Sequence, residues 1–449
     1  MKKENSFLQT VCNIAIPVTL QCMLQSSFSM ADQIMIGQLG SVSIAGVGLA
    51  GKFTSIFNVL VSAIAAVAGI MIAQYMGKKD EKSVDTSFSV NLFVAAVLAI
   101  LFTGACALFP TQIMGVYSTD AGMIQEAAGY LRVMSITFLP IAGSTLFATL
   151  LRCMEKAVLP LIASILATIV NTGLNYIFIF GKCGMPQMGV QGAAIATVIA
   201  QLVNLACIFL MFLVHYKKQG KHLSFHLKMG QLGRKQYIAM LVPLLLTEFL
   251  WSLGENVYAV IYGHMSTMEC AAMTLTNPIQ GLMIGALSGL SQAAGIIIGK
   301  ELGKKDYDSA YDKSKKLMIY GLAGSLFLSL LLVLLSKYYV QIYQVEEQVK
   351  AIGVQILIAF AIISPVKVQN MILGGGIIRS GGKTKLVMWI DIIGTWVFGV
   401  PLGLLAAFVF QLPIAYTYFI LSLEECVRLL ISFVVFRKKG WMNSLKSEG

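Results

Sequence analysis

Residues 69–80 read GIMIAQYMGKKD, and residues 295–306 read GIIIGKELGKKD. Gly69-Ile70 matches Gly295-Ile296, and Gly77-Lys78-Lys79-Asp80 matches Gly303-Lys304-Lys305-Asp306, each 226 positions apart. The same offset carries Pro17 to Pro243 and Gly37 to Gly263. An ungapped match over this distance is an internal duplication, not a chance agreement of small residues. Further on, Tyr117 answers to Tyr343, and Arg152 to Arg379 after a one-residue slip. The chain is two copies of one unit.

What lies between these landmarks sets the class. Hydrophobic residues make up 57% of the chain and charged residues 12%, with mean hydropathy +0.78; a soluble domain carries about a quarter charged residues. The apolar residues fall in blocks near 11–37, 51–76, 88–110, 127–150, 158–180, 190–214, 237–263, 273–299, 317–337, 351–377, 386–409 and 414–436. Each is long enough for the roughly 20 residues that cross a bilayer as a helix. The predicted fold is therefore an all-α integral membrane protein with twelve transmembrane helices. Six spans per copy is an even number, so both copies cross in the same sense as parallel repeats. They form two six-helix bundles, an N-terminal lobe over 1–214 and a C-terminal lobe over 237–449, joined by a cytoplasmic linker over 215–236.

The net charge of +12 does not point to nucleic acid, because the basic residues sit in short segments between apolar blocks rather than on one patch. Most of them occupy alternate connections: Lys2 and Lys3, Lys78 to Lys82, Arg152 and Lys156, Lys217 to Lys235, Lys300 to Lys316, Arg379 to Lys385 and Arg437 to Lys446. The opposite connections hold little beyond Lys182, Lys337 and Lys350. Cytoplasmic loops keep such an excess, which places both termini in the cytoplasm of a cell (inner) membrane protein. The start, MKKENSFLQT, runs into apolar sequence without a small-residue cleavage site and reads as a retained first helix. Eight cysteines without a CxxC spacing imply no disulfide framework or zinc site. His222 and His226, four apart, fit a solvated linker better than a metal site.

Acidic groups at bilayer depth cost about 2.5–3.5 kcal/mol each on insertion scales and face a cavity or a partner. Asp32, Glu248, Glu255 and Asp391 are such groups. In span one, Gln21, Gln25, Ser29 and Asp32 share one helical face; in span seven, so do Glu248, Trp251, Glu255 and Tyr258. Trp251 and Glu255 are the repeat equivalents of Gln25 and Ser29, so both stripes are expected to line a cleft between the lobes. Carboxylates there would hold cations, and aromatic faces would attract organic ones. Asn171 and Asn175, four apart in span five, add acceptors suited to supporting a carboxylate or coordinating Na⁺, or serve as interhelical glue. Asp391 and Thr395 repeat the spacing in span eleven. Lys367, after Pro365 in span ten, needs an anionic partner, for which Asp391 or Glu255 is expected.

These residues together resemble the multidrug and toxic compound extrusion (MATE) family over almost the whole chain. The resemblance rests on Pro17 with Met30-Ala31-Asp32-Gln33-Ile34-Met35-Ile36-Gly37, on Leu151-Arg152, and on Asn171-Thr172-Gly173-Leu174-Asn175-Tyr176 with Phe180-Gly181. It continues in Gly189-Val190-Gln191-Gly192-Ala193-Ala194-Ile195-Ala196-Thr197, Arg379-Ser380-Gly381-Gly382, and Trp396 with Pro401-Leu402-Gly403. Leu174-Asn175 stands where another branch has Leu-Asp, which makes the chain similar to the NorM-like bacterial branch. The resemblance implies that Asp32, Asn171, Asn175 and Thr197 bind the coupling ion, with Asp32 the residue that would hold Na⁺. The chain departs from the family pattern at Lys383, where Gly-Gly-Asp is common, and in the placing of Glu248 and Glu255.

Function is then expected to be efflux of amphipathic organic cations and other drug-like small molecules by alternating access, coupled to Na⁺ or H⁺ influx. No cofactor is expected, the bilayer is the surrounding partner, and the chain is expected to act as a monomer. Gln25, Glu248, Trp251, Glu255 and Asp391 are the candidate substrate residues. Two other readings compete. A flippase for a lipid-linked saccharide would favour a larger cationic cleft and more spans. An intramembrane enzyme needs histidine chemistry at membrane depth, whereas His215, His222, His226 and His264 fall in or near loops.

Overall fold

The computed structural model describes residues 2–39, 41–117, 121–218, 225–265, 267–343 and 345–446, with the side chains of 2–6, 28–31, 33, 34, 37, 41–45, 263, 267 and 270 outside the description. No strand occurs among the described residues. Lipid offers no hydrogen bonds, so a crossing segment must satisfy its backbone within itself, and the helix does this. The elements in chain order are α1 (Lys2–Gly37), α2 (Ser41–Lys78), α3 (Glu81–Leu108), the short α4 (Pro110–Gly115), and α5 (Ala121–Met134) running through a 3₁₀ turn into α6 (Phe138–Cys153). Next come α7 (Val158–Phe180), α8 (Gly189–Lys218), α9 (Gln231–Gly263), α10 (Thr267–Gly303) and α11 (Tyr307–Gln341). The last are α12 (Glu347–Asn370), α13 (Thr384–Ile392), α14 (Val400–Leu404), α15 (Ile414–Ser422) and α16 (Glu424–Arg437).

Eleven helical segments among the described residues are long and apolar enough to cross a membrane. The twelfth expected block, 414–436, is helical as α15 and α16, which are interrupted at Leu423. The interruption leaves pieces of 9 and 14 residues, each too short to cross alone, and Glu424, Glu425 and Arg428 stand in the second. Two spans are wound partly as π-helix: α12 continues through Met371–Ile378, and α13 through Ile393–Gly399. Such widened turns occur often at functional positions, and both adjoin the charged residues described below.

The chain divides into two compact units. One comprises Leu20–Ile72 and Glu81–Gly230. Its α7 and α8 pack together, α6 packs on α3 and α8, and α5 on α8. Its apolar centre holds the ring of Phe57 4.5 Å from Phe138 and 5.3 Å from Phe102, and Phe147 packed on Phe88 and Phe212 at 5.1 and 5.2 Å. The other unit comprises Met1–Thr19, Ala73–Asp80 and Gln231–Gly449. Its α12 packs on α10, α11 and α15, and its α13 on α9.

Within this second unit the end of α2 crosses the end of α10, and the crossing is its own image under the repeat. A Cβ on Gly77 would strike the Lys300 carbonyl, and a Cβ on Gly303 would strike the Gln74 carbonyl. Gln74 and Lys300 stand 226 apart, as do Gly77 and Gly303. Ala73 and Gly299, equivalents of each other, touch at the same place, with 3.0 Å between the Ala73 Cβ and a Cβ placed on Gly299. The loops that follow are also matched. Lys79 and Lys305 both take φ of 62°. The Asp80 amide donates to the Tyr75 carbonyl and the Asp306 amide to that of Glu301, both at 3.1 Å. This is a helix-ending Schellman turn, and its six-to-one bond satisfies carbonyls the helix leaves open. The C-terminal segment closes over the crossing. The fully buried Gln74 side chain donates to the Ser380 and Asn443 carbonyls at 2.7 and 3.2 Å, and accepts from the Leu445 amide at 2.7 Å. Lys78 donates to the Leu445 carbonyl.

Because backbone meets backbone at Gly77 and Gly303, one added methyl cannot be absorbed by turning a side chain. Gly77→Ala or Gly303→Ala is expected to cost about 1–3 kcal/mol. Gly104→Ala, where nothing lies within 4 Å, is expected to leave stability unchanged. Thermal denaturation midpoints of the detergent-purified variants make the comparison.

Candidate functional site

In the first unit, α7 presents Asn171 and Asn175 one turn apart, both buried. They meet Asp32, half-buried on α1. Asn175 Nδ2 donates to Asp32 Oδ1 at 2.7 Å, and the Asn171 amide lies 3.3 Å from both Asn175 Nδ2 and Thr197 Oγ1 on α8. The four residues expected to act together on the coupling ion are thus contiguous. Asn171 answers the same carboxylate: in the amide orientation that satisfies both of its polar atoms, Nδ2 donates to the two Asp32 oxygens, at 3.0 and 3.2 Å. Asn175 Oδ1 is buried and accepts no hydrogen bond. Among the described residues no basic side chain pairs with Asp32, so its charge is answered by amide dipoles alone.

The rest of the span-one stripe behaves differently. Gln21 is buried, donating from Nε2 to Ser164 Oγ and accepting from Arg152 Nη2, both at 2.7 Å. Gln25 is exposed, and the Ser29 side chain lies outside the described residues. The Arg152–Gln21 contact has a counterpart in the other unit, where Arg379 Nη2 lies 3.4 Å from Glu248 Oε1. Both pairs are separated by 131 positions. Glu248, one residue beyond the repeat equivalent of Gln21, makes the counterpart contact, and an ion pair replaces an arginine–amide hydrogen bond.

The second unit holds a larger charged site. A cavity of about 530 Å³ is lined by Glu248, Trp251 and Glu255 of α9, Gln280 of α10, Lys367 and Asn370 of α12, Arg379, Asp391 of α13, and Glu425 and Arg428 of α16. A neighbouring cavity of about 230 Å³ is lined by Glu255, Tyr258, Tyr262, Lys367, Tyr418 and Glu424 among others. Glu255 and Lys367 line both. The structure corrects one expectation: the partner of Lys367 is neither Asp391 nor Glu255 but Glu425, at 3.9 Å. Asn370 Nδ2 donates to the same carboxylate at 2.9 Å. Asp391 is taken by Arg428 at 3.6 Å, and Arg428 also reaches Glu424 at 3.8 Å and donates to Thr395. Tyr258 donates to Glu424 at 2.7 Å.

Five carboxylates here face three basic groups. Glu248, Asp391, Glu424 and Glu425 each have an ion-pair partner. Glu255 has none among the described residues; it is exposed on the cavity wall one helical turn beyond the exposed Trp251. Glu424, Glu425 and Arg428 were missed by the sequence reading, although three charges inside the last apolar block were the available signal. At the linker, α8 continues to Lys218 and α9 begins at Gln231. The His226 amide donates to Ser89 Oγ at 3.3 Å, and His222 lies outside the described residues.

The repeated half is also what the family comparison finds. The MatE family model matches the chain twice, over residues 17–177 and again over 243–405. The chain belongs to the MatE family. Among relatives of this MatE protein, an uncharacterized transporter of Bacillus subtilis, YisQ, is 23% identical over 98% of this chain and 97% of its own. A probable multidrug resistance protein NorM of Photorhabdus laumondii is 23% identical over 89% and 88%. A crystal structure of a mutant Vibrio cholerae MATE transporter, VcmN, superposes with a TM-score of 0.89 at 16% identity, covering 98% of this chain and all of that one. The chain is accordingly a multi-pass membrane transporter with the MATE fold.

Arg428 serves two carboxylates, Asp391 and Glu424. Removing one partner of a buried ion pair costs about 3–5 kcal/mol, because the other charge stays buried and unanswered. Arg428→Met is therefore expected to lower the thermal denaturation midpoint sharply, and Arg428→Met combined with Asp391→Asn and Glu424→Gln to recover part of the loss, as read by melting in detergent.

Proposed function

We propose that this chain is a multidrug efflux antiporter that exports amphipathic organic cations by alternating access, driven by Na⁺ or H⁺ influx. The observation that carries the reading is Asp32, a carboxylate on a membrane helix whose described partners are neutral amides. A fixed counter-ion would lock such a group, whereas a mobile cation or a proton can come and go. The probable multidrug resistance proteins among the relatives support the same reading.

With the site empty, the amides of Asn171 and Asn175 answer the Asp32 charge; Na⁺ or a proton on Asp32 would take over part of that role, and the buried Asn175 Oδ1, which accepts no hydrogen bond, supplies a further oxygen suited to a hard cation. A ligand moves a conformational equilibrium only as far as it binds the two states differently.

Substrate recognition is assigned to the cavity with Glu255 and Trp251. The unpaired carboxylate receives an ammonium, and the indole face adds cation–π attraction. Glu248 and Asp391, held by arginines, contribute polar surface to this cavity, and Gln25 of the other unit is assigned to substrate as an exposed amide. The termini and the basic connections lie on the cytoplasmic side of the cell membrane, and a single chain is the working unit.

Reconstitution in liposomes with an imposed Na⁺ or pH gradient, following a fluorescent organic cation, tests the reading. Export is expected to follow one of the two gradients. Asp32→Asn at matched protein level is expected to lower coupled export by roughly tenfold or more; undiminished coupled export would overturn the assignment. Glu255→Gln is expected to raise KM for cationic substrates by about tenfold, the worth of about 1.4 kcal/mol, while neutral substrates are little affected.

A further inference from the structure

A cavity of about 630 Å³ opens at the basic end of the second unit, between the starts of α9 and α13 and the C-terminal segment. Lys383, Lys385 and Lys446 line it, and no Asp or Glu does. All three are exposed, and none has an ion-pair partner among the described residues. The other wall is apolar: Leu232, Leu386 and Trp389 line it with 41%, 37% and 52% of their surfaces exposed. Elsewhere at this end basic groups are engaged, as where Lys304 and Lys313 bracket Glu301 at 2.9 and 3.0 Å.

Three ammonium groups without an ion-pair partner among the described residues, beside an exposed apolar wall at the end of a membrane-crossing bundle, match one kind of molecule. We propose that this cavity binds an anionic phospholipid, the phosphate held by Lys383, Lys385 and Lys446 and an acyl chain lying along Leu232, Leu386 and Trp389. Basic pockets at this depth suit such headgroups, and tryptophan is favoured at the headgroup level. Helix α13 begins at Thr384 without a side-chain cap, so the positive end of its dipole adds to the lysines. Two buried polar atoms in the wall, Gln236 Oε1 and Ser444 Oγ, have no hydrogen-bond partner. A hydroxyl-bearing headgroup can supply donors to them after small side-chain movements, and a trimethylammonium headgroup cannot. A glycerol-type anionic lipid is therefore the favoured occupant.

Occupation would also bear on the tail. Lys446 and Leu445 belong both to the cavity and to the segment held by Gln74, Tyr75 and Lys78. A bound phosphate would fasten that segment over the α2–α10 crossing.

The test uses the full-length purified protein in neutral detergent with brominated phosphatidylglycerol or brominated phosphatidylcholine, reading quenching of Trp389 as the difference between the parent and Trp389→Phe. Half-quenching by the anionic lipid is expected at roughly a tenfold lower mole fraction than by the zwitterionic one. Lys383→Gln with Lys385→Gln and Lys446→Gln is expected to remove the preference, and Lys304→Gln with Lys313→Gln to retain it. If the triple variant does not fold, each single variant is expected to lose part of the preference. Equal quenching by the two lipids, or a preference that survives loss of the lysines, would overturn the proposal. So would displacement of the brominated lipid by millimolar inorganic phosphate, which would mark a site for free phosphate.

Discussion

A charged side chain inside a bilayer cannot be left to water, and the polar architecture of this protein follows from how each such charge is answered. In the second unit the answer is mostly ionic: Lys367 to Glu425, Arg379 to Glu248, and Arg428 to both Asp391 and Glu424. In the first unit it is mostly dipolar, with amides around Asp32 and a neutral Gln21 against Arg152. The same helical frame therefore supports two electrostatic regimes. Ion pairs hold side chains in one place, whereas a carboxylate among amides can change its occupant at small structural cost. That division fits an exchangeable ion at Asp32 and a shaped, charge-lined cavity around Glu255.

The fold was legible because its signals are additive along the chain. Hydropathy accumulates over some 20 residues, and the repeat accumulates over separate landmarks, so neither depends on a single position. The Asp32 cluster was partly legible for a similar reason: Asn171 and Asn175 are fixed on one face by helical spacing, whatever their partners. The resemblance to a known family, not the spacing, brought Thr197 in. Which groups would meet across the second unit was not legible. Helical periodicity says which residues share a face and nothing about which neighbouring helix that face meets. Hence Lys367 was matched with Asp391 or Glu255 when Glu425 on α16 takes it. The acidic pair Glu424-Glu425 escaped although it stands inside the block read as the last span, 414–436, because the strongly apolar residues around it dominate that block's hydropathy.

The crossing of α2 and α10 also has a bearing on ancestry. Gly77 against Lys300 and Gly303 against Gln74 is a reciprocal contact, the kind that forms between two identical molecules about a two-fold axis. A single ancestral six-helix chain carrying this glycine and its neighbour three residues earlier could have built the same junction with a second copy of itself, both inserted in one orientation. Fusion would then have preserved the junction while releasing the rest of each copy to diverge. Ala73 opposite Gly299 marks where that divergence has begun to reach the axis itself: two positions that a homodimer must keep identical now differ by a methyl group.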